Sequence, residues 1–115
     1  MGILEDVQNW YKRQCDGNWE HHNGITIETL DNPGWQLAID LTGTKVAEEP
    51  FELVCRNVPQ NFIDQSMGKV APPFVAANPT SDDWLLCFAR DEKFIGAGSP
   101  QNLSAILETF LNWVK

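Results

Sequence analysis

The sequence predicts an α+β fold: an N-terminal helix, an antiparallel meander of four to five strands, and a C-terminal helix packed on the sheet. Three observations predict it. Apolar residues recur at spacings of three and four near both ends of the chain. Between those ends, short runs alternate apolar and polar side chains with a period of two. Turn residues separate the runs closely, which makes consecutive strands antiparallel neighbours. The length, 115 residues, fits one domain spanning residues 1–115.

The first helix is read over residues 3–15. Ile3, Leu4, Val7, Trp10, Tyr11 and Cys15 fall on one stripe. Glu5 and Asp6 lie in its first turn and Lys12 and Arg13 in its last, as the helix dipole favours. Asp16-Gly17-Asn18 supplies the stop, with Gly17 free to take a left-handed conformation. Residues 24–30 alternate as a strand, with Ile25 and Ile27 on one side. Asp31-Asn32-Pro33-Gly34 reads as a turn in which Pro33 presets its φ and Gly34 accepts a positive one. Trp35, Leu37, Ile39 and Leu41 then share one face of a second strand, which closes a hairpin. Residues 51–57 suit a third strand.

Residues 58–80 read as a long loop. Pro59, Pro72, Pro73 and Pro79 fall within it and Pro50 shortly before, too many residues without an N–H for a regular ladder. A fourth strand over 84–89 places Trp84, Leu86 and Phe88 on one face and Leu85, Cys87 and Ala89 on the other, so it reads as central. Asp91-Glu92 turns the chain into a fifth strand over 93–98. Ser99 as cap and Pro100 at the first position then open a helix striped by Leu103, Ile106, Leu107, Phe110, Trp113 and Val114. Trp10, Trp35, Trp84 and Trp113 all lie on apolar stripes and are assigned to the core.

Charge and cysteine usage narrow the function. Sixteen acidic residues against eight basic give a formal net charge of -8. Such a field repels nucleic-acid phosphates and anionic membranes and attracts basic partners. Three separated cysteines, Cys15, Cys55 and Cys87, do not suggest a disulfide framework, which points to a reducing, cytoplasmic setting. The start of the chain lacks the pattern of a signal peptide, and no run of apolar residues is long enough to span a membrane.

The densest polar cluster, Cys15 to His22, invites three chemistries. Metal binding is opposed because adjacent His21 and His22 point apart on an extended segment and no further histidine or CxxC pair exists. A Cys15 nucleophile is opposed because a helix C-terminus and the neighbouring Asp16 disfavour a thiolate. Recognition remains: Trp19 as an anchor flanked by Asp16, Glu20 and His21, with packing of Trp19 over the hairpin as the plain alternative. Asp82 and Asp83 offer a second acidic contact, or else a solvated turn before Trp84. No residue pattern calls for a cofactor. Gly96-Ala97-Gly98-Ser99-Pro100 resembles a phosphate loop only in its glycines, since it has no lysine.

The segment Trp10-Tyr11-x-x-Gln14-Cys15-Asp16-Gly17-x-Trp19-Glu20-His21, followed by Gly24-Ile25-x-Ile27-Glu28-Thr29-Leu30-Asp31-Asn32-Pro33-Gly34-Trp35, resembles the immunity protein 53 family. So does the tail, with Asp83-Trp84, Lys93-Phe94-x-Gly96-x-Gly98 and Pro100-x-Asn102-Leu103. Residues 58–80 depart from it, being longer than the short connection expected of the family. The resemblance implies an immunity protein of a bacterial polymorphic toxin system. Such proteins protect the producing cell by binding a cognate toxin domain and blocking it. A basic toxin domain would suit the -8 charge. Two competing readings stay open. One is a small cysteine-dependent, sulfurtransferase-like enzyme using Cys15. The other is a small-ligand-binding adaptor with residues 58–80 as its lid.

Overall fold

The computed structural model describes residues 2–31, 33–58 and 82–114. The proline-rich stretch expected at 58–80 therefore lies outside the described residues, Val58 apart. Helix α1 (Ile3–Gln14) forms where the apolar stripe places it and buries Val7 and Trp10. A single helical turn, α2 (Trp19–His22), follows it. The described residues then form five strands: β1 (Ile25–Leu30), β2 (Gly34–Asp40), β3 (Val54–Arg56), β4 (Leu85–Arg90) and β5 (Lys93–Gly98). Helix α3 (Leu103–Val114) ends the chain and buries Ile106, Leu107 and Phe110.

Among the described residues the four strand pairings are antiparallel, and the sheet order is β1-β2-β5-β4-β3. A simple meander would have placed β3 beside β2. Instead β5 takes that position, paired from Trp35↔Gly98 to Asp40↔Lys93. The reason is burial. β5 is buried from Phe94 onward, and its side chains alternate between two apolar clusters, so it profits from a neighbour on each side. β3 pairs over only three residues, all half-buried or exposed, and an edge suits it. Its predicted span of 51–57 is shortened because Phe51 turns inward, packing its ring edge-on against Phe94 at 5.4 Å and Trp113 at 5.1 Å.

Both helices cover one face of the sheet. There Leu37, Ile39, Leu41, Leu85, Cys87 and Phe94 join Val7, Trp10, Ile106, Leu107 and Phe110 in one cluster. Each fully buried aliphatic or Phe side chain in it is worth about 1.5–3 kcal/mol. Trp84, Leu86, Phe88, Ile95 and Ala97 form a second cluster on the opposite face, so β4 is buried on both sides as its composition predicts. Trp10 and Trp84 are buried as expected. Trp35 and Trp113 are only half-buried, and each indole N–H donates to a proline carbonyl, Pro100 at 2.8 Å and Pro50 at 3.0 Å.

Two local readings are corrected. Gly34 is not a left-handed turn residue; it opens β2, and a Cβ there would stand 2.5 Å from the Gly98 carbonyl oxygen. Ser99 does not cap the last helix, which begins at Leu103. The Ser99 backbone N–H donates to the Trp84 carbonyl at 3.1 Å, while Asn102 supplies the first helical acceptor, its carbonyl receiving the Ile106 N–H at 3.1 Å. The side chain of Asn102 is otherwise engaged, donating to the Trp84 carbonyl and to Asp83 Oδ1, both at 2.8 Å.

The β4–β5 turn stores strain. Asp91 and Glu92 occupy the left-handed region, at φ 55° and 60°, where two-residue hairpin turns favour Asn-Gly. Glu92→Gly is expected to raise the unfolding free energy by about 0.5–1 kcal/mol through relief of that conformation. A urea titration checks this. An unchanged midpoint would mean that the Thr42 hydroxyl, which donates to Glu92 Oε1 at 3.2 Å, already offsets the strain.

Candidate functional site

Where α1 ends, the chain builds a compact polar knot from its own sequence. Cys15 leaves the helix with extended backbone, and its N–H donates to the Lys12 carbonyl at 3.2 Å. Gly17 takes φ 89°, the left-handed conformation expected of it. Asp16 Oδ1 then accepts the N–H groups of Asn18 at 2.9 Å and Trp19 at 2.8 Å. Glu20 reaches back, its Oε1 accepting from Asp16 N–H at 2.9 Å and its Oε2 from Gly17 N–H at 2.8 Å. This reciprocal pattern has the logic of a capping box: two carboxylates satisfy the N–H groups of Asp16, Gly17, Asn18 and Trp19 across the turn that leads into α2.

These bonds hold the acids ionised. The Asp16 carboxyl lies below the usual range because it accepts the Trp19 and then the Asn18 N–H. Glu20 is likewise lowered, first by its own N–H and then by those of Asp16 and Gly17, with His21 adding to the effect. A carboxylate whose folded pKa is depressed stabilises the fold above its unfolded pKa of about 4 and stops doing so as pH falls through the lower, folded value. The chain is therefore expected to lose stability on acidification below about pH 4. Urea midpoints across that range should fall less steeply for Asp16→Asn with Glu20→Gln. An unaltered slope would count against the knot.

Trp19 sits beneath this knot and is not presented to solvent. It is 7% exposed. Its indole N–H donates to the Thr42 carbonyl at 2.7 Å, and its ring meets Trp10 at 6.3 Å and Tyr11 at 6.1 Å, both edge-on. The packing alternative thus describes its position, and the ring offers little surface for a partner. Above it Asp16 and His21 are exposed and Glu20 is half-buried. Sequence reasoning missed Asp40, read as the polar side of a strand. Its Oδ2 accepts the Gly24 N–H at 2.9 Å and its Oδ1 pairs with Lys93, which fixes the join between α2 and β1.

The other predicted pair lies elsewhere. Asp83 accepts from Arg56 at 3.0 Å and from Asn102 at 2.8 Å. Its carboxyl is lowered by the Asn102 amide first and by Arg56 after it. The exposed Asp82 receives the Gln101 amide on its carbonyl at 2.9 Å. The register shows that these residues and the knot do not converge. Asp82 and Asp83 precede Leu85, which pairs with Gly98 and, through it, lies level with Trp35 at the start of β2. Trp19 contacts Thr42, beyond the far end of β2. Six strand residues, roughly 20 Å, separate the two groups.

Cys15 Sγ donates to the Tyr11 carbonyl at 3.4 Å. Cys87 is buried, and desolvation pushes its thiol up to about 12. No group of three or more His, Cys, Asp or Glu among the described residues could hold a metal ion. No helix among them is long and apolar enough to cross a membrane.

A family model described as immunity protein 53 matches residues 4–115 of this chain. No curated protein and no solved structure matches it.

Proposed function

The chain belongs to the immunity protein 53 family, and from that premise we propose that it binds and occludes a cognate bacterial toxin domain, with no bond made or broken. An immunity function in general comes with the family. The toxin partner, its basic character and action in the cytoplasm are our reading. The family match over residues 4–115 carries it. The formal charge of -8 supports a basic partner, whose encounter it would accelerate.

In this reading the rim of the knot, the exposed Asp16 and His21 with the half-buried Glu20, makes part of the contact. Trp19 acts from below by holding the rim in place. The backbone N–H hydrogen bonds that fix both carboxylates also preorganise them, which lowers the ordering cost on binding. Asp82 and Asp83, at the other end of the sheet, belong to the contact only if the toxin domain spans the sheet's length. Co-expression tests the function: cells making the toxin domain encoded beside this gene should survive only when this chain is also made. Survival without it, or death despite it, would reject the proposal.

A further inference from the structure

We propose that the edge strand β1 is the docking site, and that an extended, cation-bearing segment of the toxin domain adds to the sheet alongside it. This rests on the toxin-binding reading above and names the surface and the mode of contact. Among the described residues β1 pairs only with β2 and ends the sheet. Thr26, Ile27, Glu28 and Thr29 are all exposed, and Ile27 keeps 43% of its surface in solvent. The ladder runs without a bulge from Ile25↔Ile39 to Leu30↔Gly34.

Proteins usually protect such an edge with Lys, Pro, a bulge or a very short strand, because its outward N–H and C=O groups template another strand. β1 is lightly protected among the described residues: it is six residues long, contains neither Lys nor Arg nor Pro, and carries Glu28 as its one charged side chain. The opposite edge is treated differently. β3 pairs over three residues, and its Arg56 is engaged by Asp83.

Charge identifies the occupant. Residues 14–44 contain Asp16, Glu20, Glu28, Asp31 and Asp40 and no lysine or arginine. Of these, Asp40 is neutralised by Lys93. A strand arriving beside β1 therefore meets Glu28 within the strand and Asp31 just beyond its end. Glu28 shares a face with its register partner Gln36, whose amide donates to it at 3.3 Å, while Ile27 lies on the other face with Leu37. The complementary strand thus alternates, with a basic residue beside Glu28 and an apolar one beside Ile27. A second copy of this chain would bring the same acidic run and another charge of -8 to the edge, which opposes self-pairing.

Amide hydrogen exchange on the full chain, alone and with the toxin domain encoded beside its gene, tests this. The outward amides of Ile25–Leu30 should exchange about 10-fold or more slowly in the complex. Ile27→Lys should weaken binding by about 30-fold or more. The matched change Leu53→Lys, at a 39% exposed position beside β3, should weaken it less than about 3-fold. A complex in which β1 amides exchange as in the free chain would overturn the docking edge while leaving toxin binding intact. Protection of β1 in the chain alone, with a dimer in sedimentation, would also overturn it by assigning the edge to a second copy. Absence of any complex would overturn both readings.

Discussion

Trp19→Ala is expected to lower the unfolding free energy by about 3–5 kcal/mol, the range for removing a buried aromatic side chain. Two losses combine. The cavity opens between Trp10 and Tyr11, whose rings lie 6.3 and 6.1 Å from that of Trp19. The Thr42 carbonyl loses its donor at 2.7 Å. The segment affected joins α1 to β1, so the Asp16–Glu20 knot above it should loosen as well. Urea denaturation checks the size of the effect, and Trp19→Phe separates its parts by keeping much of the ring while removing the N–H. An unchanged midpoint for Trp19→Ala would mean that the indole is a surface group after all. Any drop in toxin affinity would then belong to a direct contact.

Gly96→Val should cost about 3 kcal/mol, the upper part of the usual range for overpacking. A Cβ at this position would stand 2.4 Å from Ile106 Cγ2, 3.5 Å from Phe94 Cε2 and 3.6 Å from Cys87 Sγ. Ile106, Phe94 and Cys87 are fully buried, so no neighbour can swing into solvent. The glycine lets α3 approach the sheet where β5 passes beneath it. Ile106→Ala makes room at the same spot and should also destabilise when made alone, by about 2–5 kcal/mol. The double variant should then lose clearly less than the sum, because the two positions share one space. Simple additivity would show that Gly96 and Ile106 do not meet.

Much of this fold was legible in local patterns. α1 announces itself through Val7 and Trp10 on one stripe with the right charges at each end, and β2 through strict alternation from Trp35 to Leu41. The two-faced apolar character of residues 84–89 foretold burial of β4 on both sides. What escaped was non-local. The order β1-β2-β5-β4-β3 depends on which strands profit from two neighbours, and no short window encodes that choice. Ser99 satisfies the cap pattern, yet Asn102, tied to Trp84 and Asp83, decides where α3 begins.

The candidate site was legible in composition and less so in arrangement. A lone Trp among Asp16, Glu20 and His21 reads equally as an exposed anchor or a packed ring, because its hydrogen-bond partner Thr42 is distant in sequence. One local signal did exist. Asp16 stands three residues before Trp19, and Glu20 three after Gly17, the spacing of a reciprocal cap. That spacing marks the two acids as builders of a turn before they are anything else. The docking edge was hidden for a different reason: nothing in residues 25–30 alone tells an edge strand from an inner one.

The central claim is that this chain acts by holding a toxin domain and does not process it. A titration of toxin activity against added chain tests this most directly, with the toxin's mass measured after the complex is separated. Occlusion predicts that activity falls linearly and vanishes at a fixed stoichiometric ratio, that the released toxin is active and unchanged in mass, and that Cys15→Ser behaves like the natural chain. Silencing of a large molar excess of toxin, or a toxin altered in mass by a Cys15-dependent reaction, would contradict it.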